Sequence, residues 1–483
     1  MHCGQFTQVT GGSSRLVLYN EECPGQPVRT GYVIPIANES LQTGTSKNQR
    51  SVITGKRGAG KPFRGLPSPS GQVAMGASSP HMGLIFRAMC GTTAATKETP
   101  LALSAGAVKD NKDGTVTLAA ENSPFVPGDL ISVYGTTNYD GTYVLAKGSG
   151  ADALVFTAPF VAETPSDAHA TRGRACDIRG DAVDRGDGKV ALPLLPGGSE
   201  IWLPQDLASG VPHVFRPGDS VTISGTTNYD GEHVIDSVGA AEIVITAAYA
   251  AETFDAGLAV PVFYRHEWQL PKRQPTQTWE KFFDFDEDAA SSPYRRYSYC
   301  KVNGISFDAG GDGEFLLTID VASGGETGSS SALDADPVEL PQVFIDKPDL
   351  SLFINGVRRG DVATASFSAS FGITPQNAIG DRLQYTRMPE GDPEVSLSMS
   401  AYLESDALQD IADADTTVPV RIYGAGLEGD AFAVDMPECV LDTPGAAISG
   451  KEGLMQDVTA MAFVDKGESV LGFTLINRIA EYA

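Results

Sequence analysis

Residues 55–62 read "GKRGAGKP" and follow a short run at 51–54. They differ by one position from the loop G-x-x-x-x-G-K-[ST], whose backbone amides cradle nucleotide phosphates. The residue that would ligate Mg²⁺ is Pro62, and "FRGLPSPSG" follows where a helix N-terminus should face the phosphate. The stretch is therefore read as carrying no nucleotide chemistry. "GAGLEG" (424–429) spells G-x-G-x-x-G, yet the "DAFAVDM" behind it alternates like a strand. A dinucleotide fold needs a helix there, so a hairpin turn is expected instead.

Metal chemistry fares no better. "DFDED" (284–288) opens like an EF-hand loop, but Ala289 stands where glycine is needed and Arg295 where a bidentate glutamate is needed. "HEWQL" (266–270) has half of a zincin motif, with Leu270 in place of the second histidine, so His266 is read as structural. His2, His81, His169, His213 and His233 are scattered, and no serine or cysteine nucleophile pattern is legible. Asp140 and Asp230 each precede a glycine, but Asp-Gly is the favoured hairpin-turn pair before it is a calcium loop. The chain is expected to be no enzyme and to carry no metal or cofactor.

The composition narrows the partners. Across 483 residues, 61 acids against 35 bases give a formal charge of −26, which repels nucleic acid and anionic lipid. No apolar run of about 18 residues spans a bilayer, and "MHCGQFTQVTGGSS" lacks the plan of a signal peptide. Synthesis and use in the cytosol without membrane insertion are expected. Cys3, Cys23, Cys90, Cys176, Cys300 and Cys439 are dispersed and read as free thiols.

Short alternating runs bounded by Gly, Pro and Asn-Gly or Asp-Gly signals argue a mainly β chain. "RPGDSVTISGTTNYDGEHVI" (216–235) restates "VPGDLISVYGTTNYDGTYVL" (126–145), so the middle holds a duplicated module of about five short strands, a small β-barrel. The copies are placed at 97–175 and 176–258, inserted into one discontinuous core of 1–96 and 259–483. Two short helices are expected in that core. The first lies at Ser79–Pro80 onward with serine as N-cap and proline at N1; the second spans 406–413, capped by Ser405, with Leu408, Ile411 and Ala412 on one side.

Strict period two then places Phe315, Leu317, Ile319, Phe367, Phe371, Leu397 and Met399 on one sheet face. Glu314, Thr318, Asp320, Ser366, Ser368, Ser370, Ser396, Ser398 and Ser400 must occupy the other.

The N-terminal order "TGYVIPIANESL" (30–41), "RSVITGKRGAGKP" (50–62), "SGQVAM" (70–75) and "SPHMGLIFRAMCGT" resembles that of the major tail tube proteins of long-tailed bacteriophages. "YRHEWQLPKRQPTQTWE" (264–280) and "YSYCKVNGISFDAGGDGEFLLTIDV" (297–321) resemble their return strand and hairpin. "LFINGVRRGDVATASFSASFGI" (352–373) and "PEVSLSMSAYLES" (393–405) resemble their later sheet strands. The resemblance implies a β-sandwich or barrel core that self-assembles into hexameric rings, stacked into a hollow tube for DNA ejection. Tape measure, tail terminator and baseplate proteins are its implied partners, and DNA passes without specific binding.

It further implies that 38–65 is an extended, basic, glycine-rich arm reaching a neighbouring subunit through Lys56, Arg57, Lys61 and Arg64. In such a tube the hydroxyl-rich sheet face would line the lumen, and the inserted modules would decorate the exterior. Two other readings fit parts of the chain. An extracellular adhesin or carbohydrate-binding protein would require an export signal, and a glycan hydrolase would require paired carboxylates in a cleft.

Overall fold

The computed structural model describes residues 11–50, 61–195, 215–239, 241–284, 293–380, 385–446, 454–465 and 469–482. By contacts the chain divides into two compact units. One comprises 1–93, 268–422 and 434–473; the other comprises 94–267, 423–433 and 474–483. The chain is mainly β, with two α-helices, Ser79–Cys90 and Ala407–Asp413, among the described residues.

In the first unit, antiparallel strands Phe63–Gly76, Leu316–Ala322, Tyr294–Ala309, Val362–Ser370, Glu394–Tyr402 and Met455–Ala462 lie side by side in that order. Alternation buries Val73, Leu317, Ile319, Ile305, Phe307, Phe367, Leu397, Met399 and Val458 on one face. A second sheet runs Gln26–Ile34, Arg15–Cys23, Gln277–Phe282, then the start of Tyr294–Ala309, then Gly325–Ser329. The strand 294–309 thus belongs to both sheets, and it turns between them at Tyr299, whose φ is +53°. The exposed amide this creates is met by Glu21, whose Oε1 accepts the Tyr299 N–H at 2.8 Å and the Thr278 hydroxyl at 2.6 Å.

The helix Ser79–Cys90 is buried on nearly every side: Met82, Leu84, Ile85, Phe86, Ala88 and Met89 are all in the core. Phe86 stacks on Phe473 at 4.5 Å and meets Trp268 edge-on at 5.8 Å. Its cap is one residue earlier than the sequence suggests, with Ser78 at N-cap, so that Pro80 falls in the first turn. Ser78 Oγ contacts His81 Nδ1 at 3.0 Å and accepts the Val343 N–H at 3.1 Å. The second helix is Ala407–Asp413 with Asp406 rather than Ser405 as its cap, and only Leu408 is buried. Ile411 and Ala412 stay half-exposed because this short helix covers little surface.

In the second unit the two copies have corresponding strands. The first has strands Leu101–Ala102, Lys109–Asp110, Thr115–Ala119, Leu130–Tyr134, Gly141–Val144, Ala153–Thr157 and His169–Arg172. The second has Cys176–Asp181, Val183–Gly186, Lys189–Leu195, Ser220–Ser224, Gly231–Gly239, Glu242–Thr246 and Thr253–Pro261. The expectation of about five strands missed the pieces too short to show alternation. In the second copy, Cys176–Asp181 pairs with both Thr253–Pro261 and Lys189–Leu195, which closes a barrel. The first copy remains two sheets, of four and three strands.

Each copy has its own core, Val116, Ile131, Tyr139 and Phe156 in one and Val190, Val221, Tyr229 and Ile245 in the other. The shared "TTNYDG" is explained by side-chain bonding. Asp140 Oδ1 accepts the Thr136 N–H and hydroxyl at 2.7 Å, and Asp230 repeats this for Thr226. These carboxylates hold turns.

The aspartates of the two "PGD" motifs anchor guanidinium groups. Asp129, fully buried, takes both terminal nitrogens of Arg172 at 2.7 and 3.1 Å and the Tyr423 hydroxyl. Arg172 also donates to Glu98 at 2.8 Å, which Arg265 shares. Burial pushes the Glu98 carboxyl up, but the two guanidinium groups outweigh it and hold it below the usual range. In the second copy Asp219 receives Arg478 at 2.8 Å.

Replacing Arg172 by Ala leaves Asp129 buried without its counter-ion. Urea unfolding monitored at this unit should show a loss of about 3–5 kcal/mol, whereas Arg185→Ala, at an exposed pair, should change stability by less than about 1 kcal/mol.

His81, 2% exposed, is held by burial at about 4 against an ordinary 6.5. The folded pKa is the lower one, so the unfolded chain binds more protons between those values and stability falls as pH drops from 6.5 to 4. The full effect is about 3 kcal/mol, and His81→Gln should flatten the urea-unfolding pH profile across that window by this amount.

Candidate assembly surfaces

Residues 38–50 and 61–76 form a β-hairpin stem rather than a single extended arm. Gln42–Asn48 pairs with Phe63–Gly76 from Gln42↔Ser70 to Asn48↔Phe63. Hydrogen bonding between the two strands satisfies the backbone, which explains why a polar, glycine-bearing sequence adopts β structure here. The stem is buried at its base, through Leu41 and Val73–Gly76, but its far part is not: residues 44–50 are exposed, and Phe63 and Leu66 are 43% and 51% exposed. Arg50 lies over the Phe63 ring at 5.6 Å.

Lys61 and Arg64 are exposed on this stem, and Arg64 pairs across the strands with Lys47, placing like charges opposite each other. Lys56 and Arg57 lie outside the described residues, as does most of "GKRGAGKP". The "DFDED" loop falls outside them beyond Asp284.

The second surface is the outer face of the large sheet in the first unit. Thr318, Asp320, Ser366, Ser368, Ser370, Ser396, Ser398 and Ser400 all lie on it, with Glu314 exposed just before its strand. Their in-register neighbours make the face continuous: Ser306 sits between Thr318 and Ser368, Ser366 pairs with Ser398, and Ser398 with Thr459. Asp308 accepts the Ser366 hydroxyl at 2.7 Å, and Asp320 accepts the Gln72 amide at 2.8 Å.

Sequence reading missed Gln72, Ser306, Asp308, Asp457 and Thr459. The same period-two signal runs through "NGISFDA" and "MQDVTAMA", so it could have found most of them. Gly304 is required in this row, since a Cβ there would come within 2.8 Å of the Ala369 carbonyl and 3.0 Å of Asp320. Where these strands pair side by side, the charged residues described at outward positions, Asp308, Asp320, Glu394 and Asp457, are all acidic, and the base on the same side, Arg64, lies further along Phe63–Gly76 on the hairpin stem.

The remaining motif residues have local partners. "GAGLEG" turns between strands Val418–Ala425 and Ala431–Leu441, closed by the Gly426 N–H to the Asp430 carbonyl at 2.7 Å. His266 is buried, with Nε2 2.7 Å from the Ile479 carbonyl and its ring against Tyr482 at 5.0 Å. Burial lowers its pKa. Cys23, Cys90, Cys176, Cys300 and Cys439 are free thiols, and burial pushes Cys90, Cys176 and Cys439 up to about 12.

Among the described residues no group of three or more His, Cys, Asp or Glu is placed to hold a metal ion. Among the same residues no helix is long and apolar enough to cross a membrane. The arrangement offers surfaces for packing and repulsion.

No curated protein matches the chain. The phage tail tube protein family matches residues 11–462, nearly its whole length. A mainly β chain with one broad single-faced sheet agrees with that match, and the chain belongs to the phage tail tube proteins, structural components of the virion tail.

Proposed function

We propose that this tail tube protein assembles into stacked hexameric rings in which the outer face of the large sheet lines the lumen through which DNA is ejected. The observation that carries this reading is that face itself: a continuous row of hydroxyls and carboxylates on strands whose other side is largely apolar. Phosphates sliding past it meet repulsion and no basic anchor. Sheet continuation from subunit to subunit would also cover edge strands that otherwise aggregate.

The hairpin stem serves as the arm to a neighbouring subunit. Its far part, 44–50 and 61–66, keeps Lys47, Lys61 and Arg64 exposed and buries almost nothing in its own unit, which suits it to the acidic surface that a chain of charge −26 presents. Modules 97–175 and 176–258 decorate the exterior, since each carries its own core. The chain is made in the host cytoplasm and meets tape measure, terminator and baseplate proteins at the ends and interior of the tube. It needs no catalysis.

Lysine at Ser368 and Ser398 would place cations on the exposed face without touching the core. Electron microscopy should show intact tubes, while DNA delivery by reconstituted phage falls, more at low salt than at high because attraction is screened. Normal delivery at low salt with intact tubes would refute the lumen assignment.

Lys61→Glu with Arg64→Glu should lower polymer yield in sedimentation by about tenfold or more while circular dichroism stays β-rich, since several charge contacts per ring are reversed. Undiminished polymer would remove the hairpin from the interface.

A further inference from the structure

A cleft of about 470 Å³ opens in the second unit where the two copies meet. It is built from corresponding places in the duplicate: the end of Leu130–Tyr134 with Gly135 from the first copy, and Ser224 with Gly225 from the second. The first strand of the second copy, Cys176–Asp181, contributes Asp177 and Arg179, and the Asp140–Thr142 stretch of the first completes the wall.

The volume is in the range of about 300–1,000 Å³ usual for small-ligand sites, in which a few convergent polar groups fix a ligand against apolar surface. Here those groups are Asp140, Asp177, Arg179 and the hydroxyls of Thr142 and Ser224, with the half-buried Tyr134 ring beside them.

The chemistry of this wall selects among ligands. An anion would face two carboxylates on a chain of charge −26. A small cation would face Arg179, and an apolar molecule would strip water from three charged groups without replacing it. A hydroxyl both donates and accepts, so it can satisfy acceptor-only carboxylates and a donor-only guanidinium together.

Arg179 is only 3.4 Å from Asp177, close enough for both to engage neighbouring hydroxyls of one ring. Burial, with a further contribution from the nearby Asp140, raises the Asp177 carboxyl above its usual range against the opposing pull of Arg179. Tyr134 stacks on His169 at 5.5 Å, which steadies its ring as a flat, amphipathic surface.

We propose that the cleft between the duplicated modules is a binding site for a neutral saccharide, held by Asp177, Arg179 and Asp140 against Tyr134. The duplication makes the site, because neither copy alone supplies all the walls. This goes beyond the tube reading and does not depend on it, so it is measured on the full chain whether or not polymer forms.

The full-length protein is screened against a panel of neutral mono- and oligosaccharides by saturation-transfer NMR, with spermidine and heparin as cationic and anionic controls. At least one neutral saccharide should bind. Asp177→Asn with Arg179→Ala should then weaken it by about tenfold or more, since charged hydrogen bonds are lost. Arg179 is exposed, so Arg179→Ala alone should keep the fold and still weaken binding, and circular dichroism checks the double variant. The proposal is overturned if no neutral saccharide binds at millimolar concentration, if binding survives the double variant, or if only spermidine or heparin binds.

Discussion

A single strand, Tyr294–Ala309, has to serve two sheets, and the first unit is arranged around that requirement. Its first residues pair with 277–282 and 325–329 and its last with 316–322 and 362–370. Changing sheets needs a corner, and the corner is Tyr299 in the left-handed region, where a bulky residue is disfavoured. The strain persists because its neighbours leave little alternative: Glu21 holds the Tyr299 amide, Tyr297 and Cys300 are buried on either side, and Gly324 donates to the carbonyls of Ser298 and Tyr299. With the strand fixed in both sheets, one face of the larger sheet packs inward and its other face is left polar.

Charge is distributed with the same economy. Many bases of the chain are engaged in its interior. Arg172 meets Asp129 and Glu98, Arg296 meets Glu280, Lys281 meets Glu39, and Lys301 meets Glu390. Such pairs gain little net stability over apolar packing, because desolvation offsets the attraction, but losing one partner is costly. Their value is in fixing which segments go together: Arg172 joins strand 169–172 to Asp129 and through it to Tyr423, and Arg478 joins the 474–483 segment to Asp219. With those bases engaged inside, the charges at the outward positions where the sheet strands pair side by side are acids, and the exposed bases stand on the hairpin stem.

Much of this was legible beforehand. Period two in "FLLTIDV", "ATASFSASF" and "VSLSMSA" needs no tertiary information, because successive strand residues point to opposite faces. It separated Leu317, Phe367 and Leu397 from Thr318, Ser368 and Ser398 correctly. The repeat was equally visible, and the bonding of Asp140 and Asp230 follows from local turn geometry that the identical "TTNYDG" encodes in both copies. Local chemistry also disposed of the false motifs: the strand after "GAGLEG" is where a helix would be needed, and His266 has a carbonyl to bond.

What the sequence by itself determined, then, was whatever depends on neighbours a few residues apart: strand faces, turns, the buried helix and the duplicated modules. Only the tertiary structure decided which strands lie side by side and that Tyr294–Ala309 is shared by two sheets. It also decided that 42–48 pairs with 63–70 and that Asp129 finds Arg172, Glu98 finds Arg265, and Asp219 finds Arg478. These depend on partners roughly 12 to 260 residues away, where loop closure costs grow only slowly with separation and so leave almost no trace in local pattern. The same holds for the cleft at the module junction: its carboxylates, guanidinium and tyrosine look like ordinary surface residues until folding brings the two copies together.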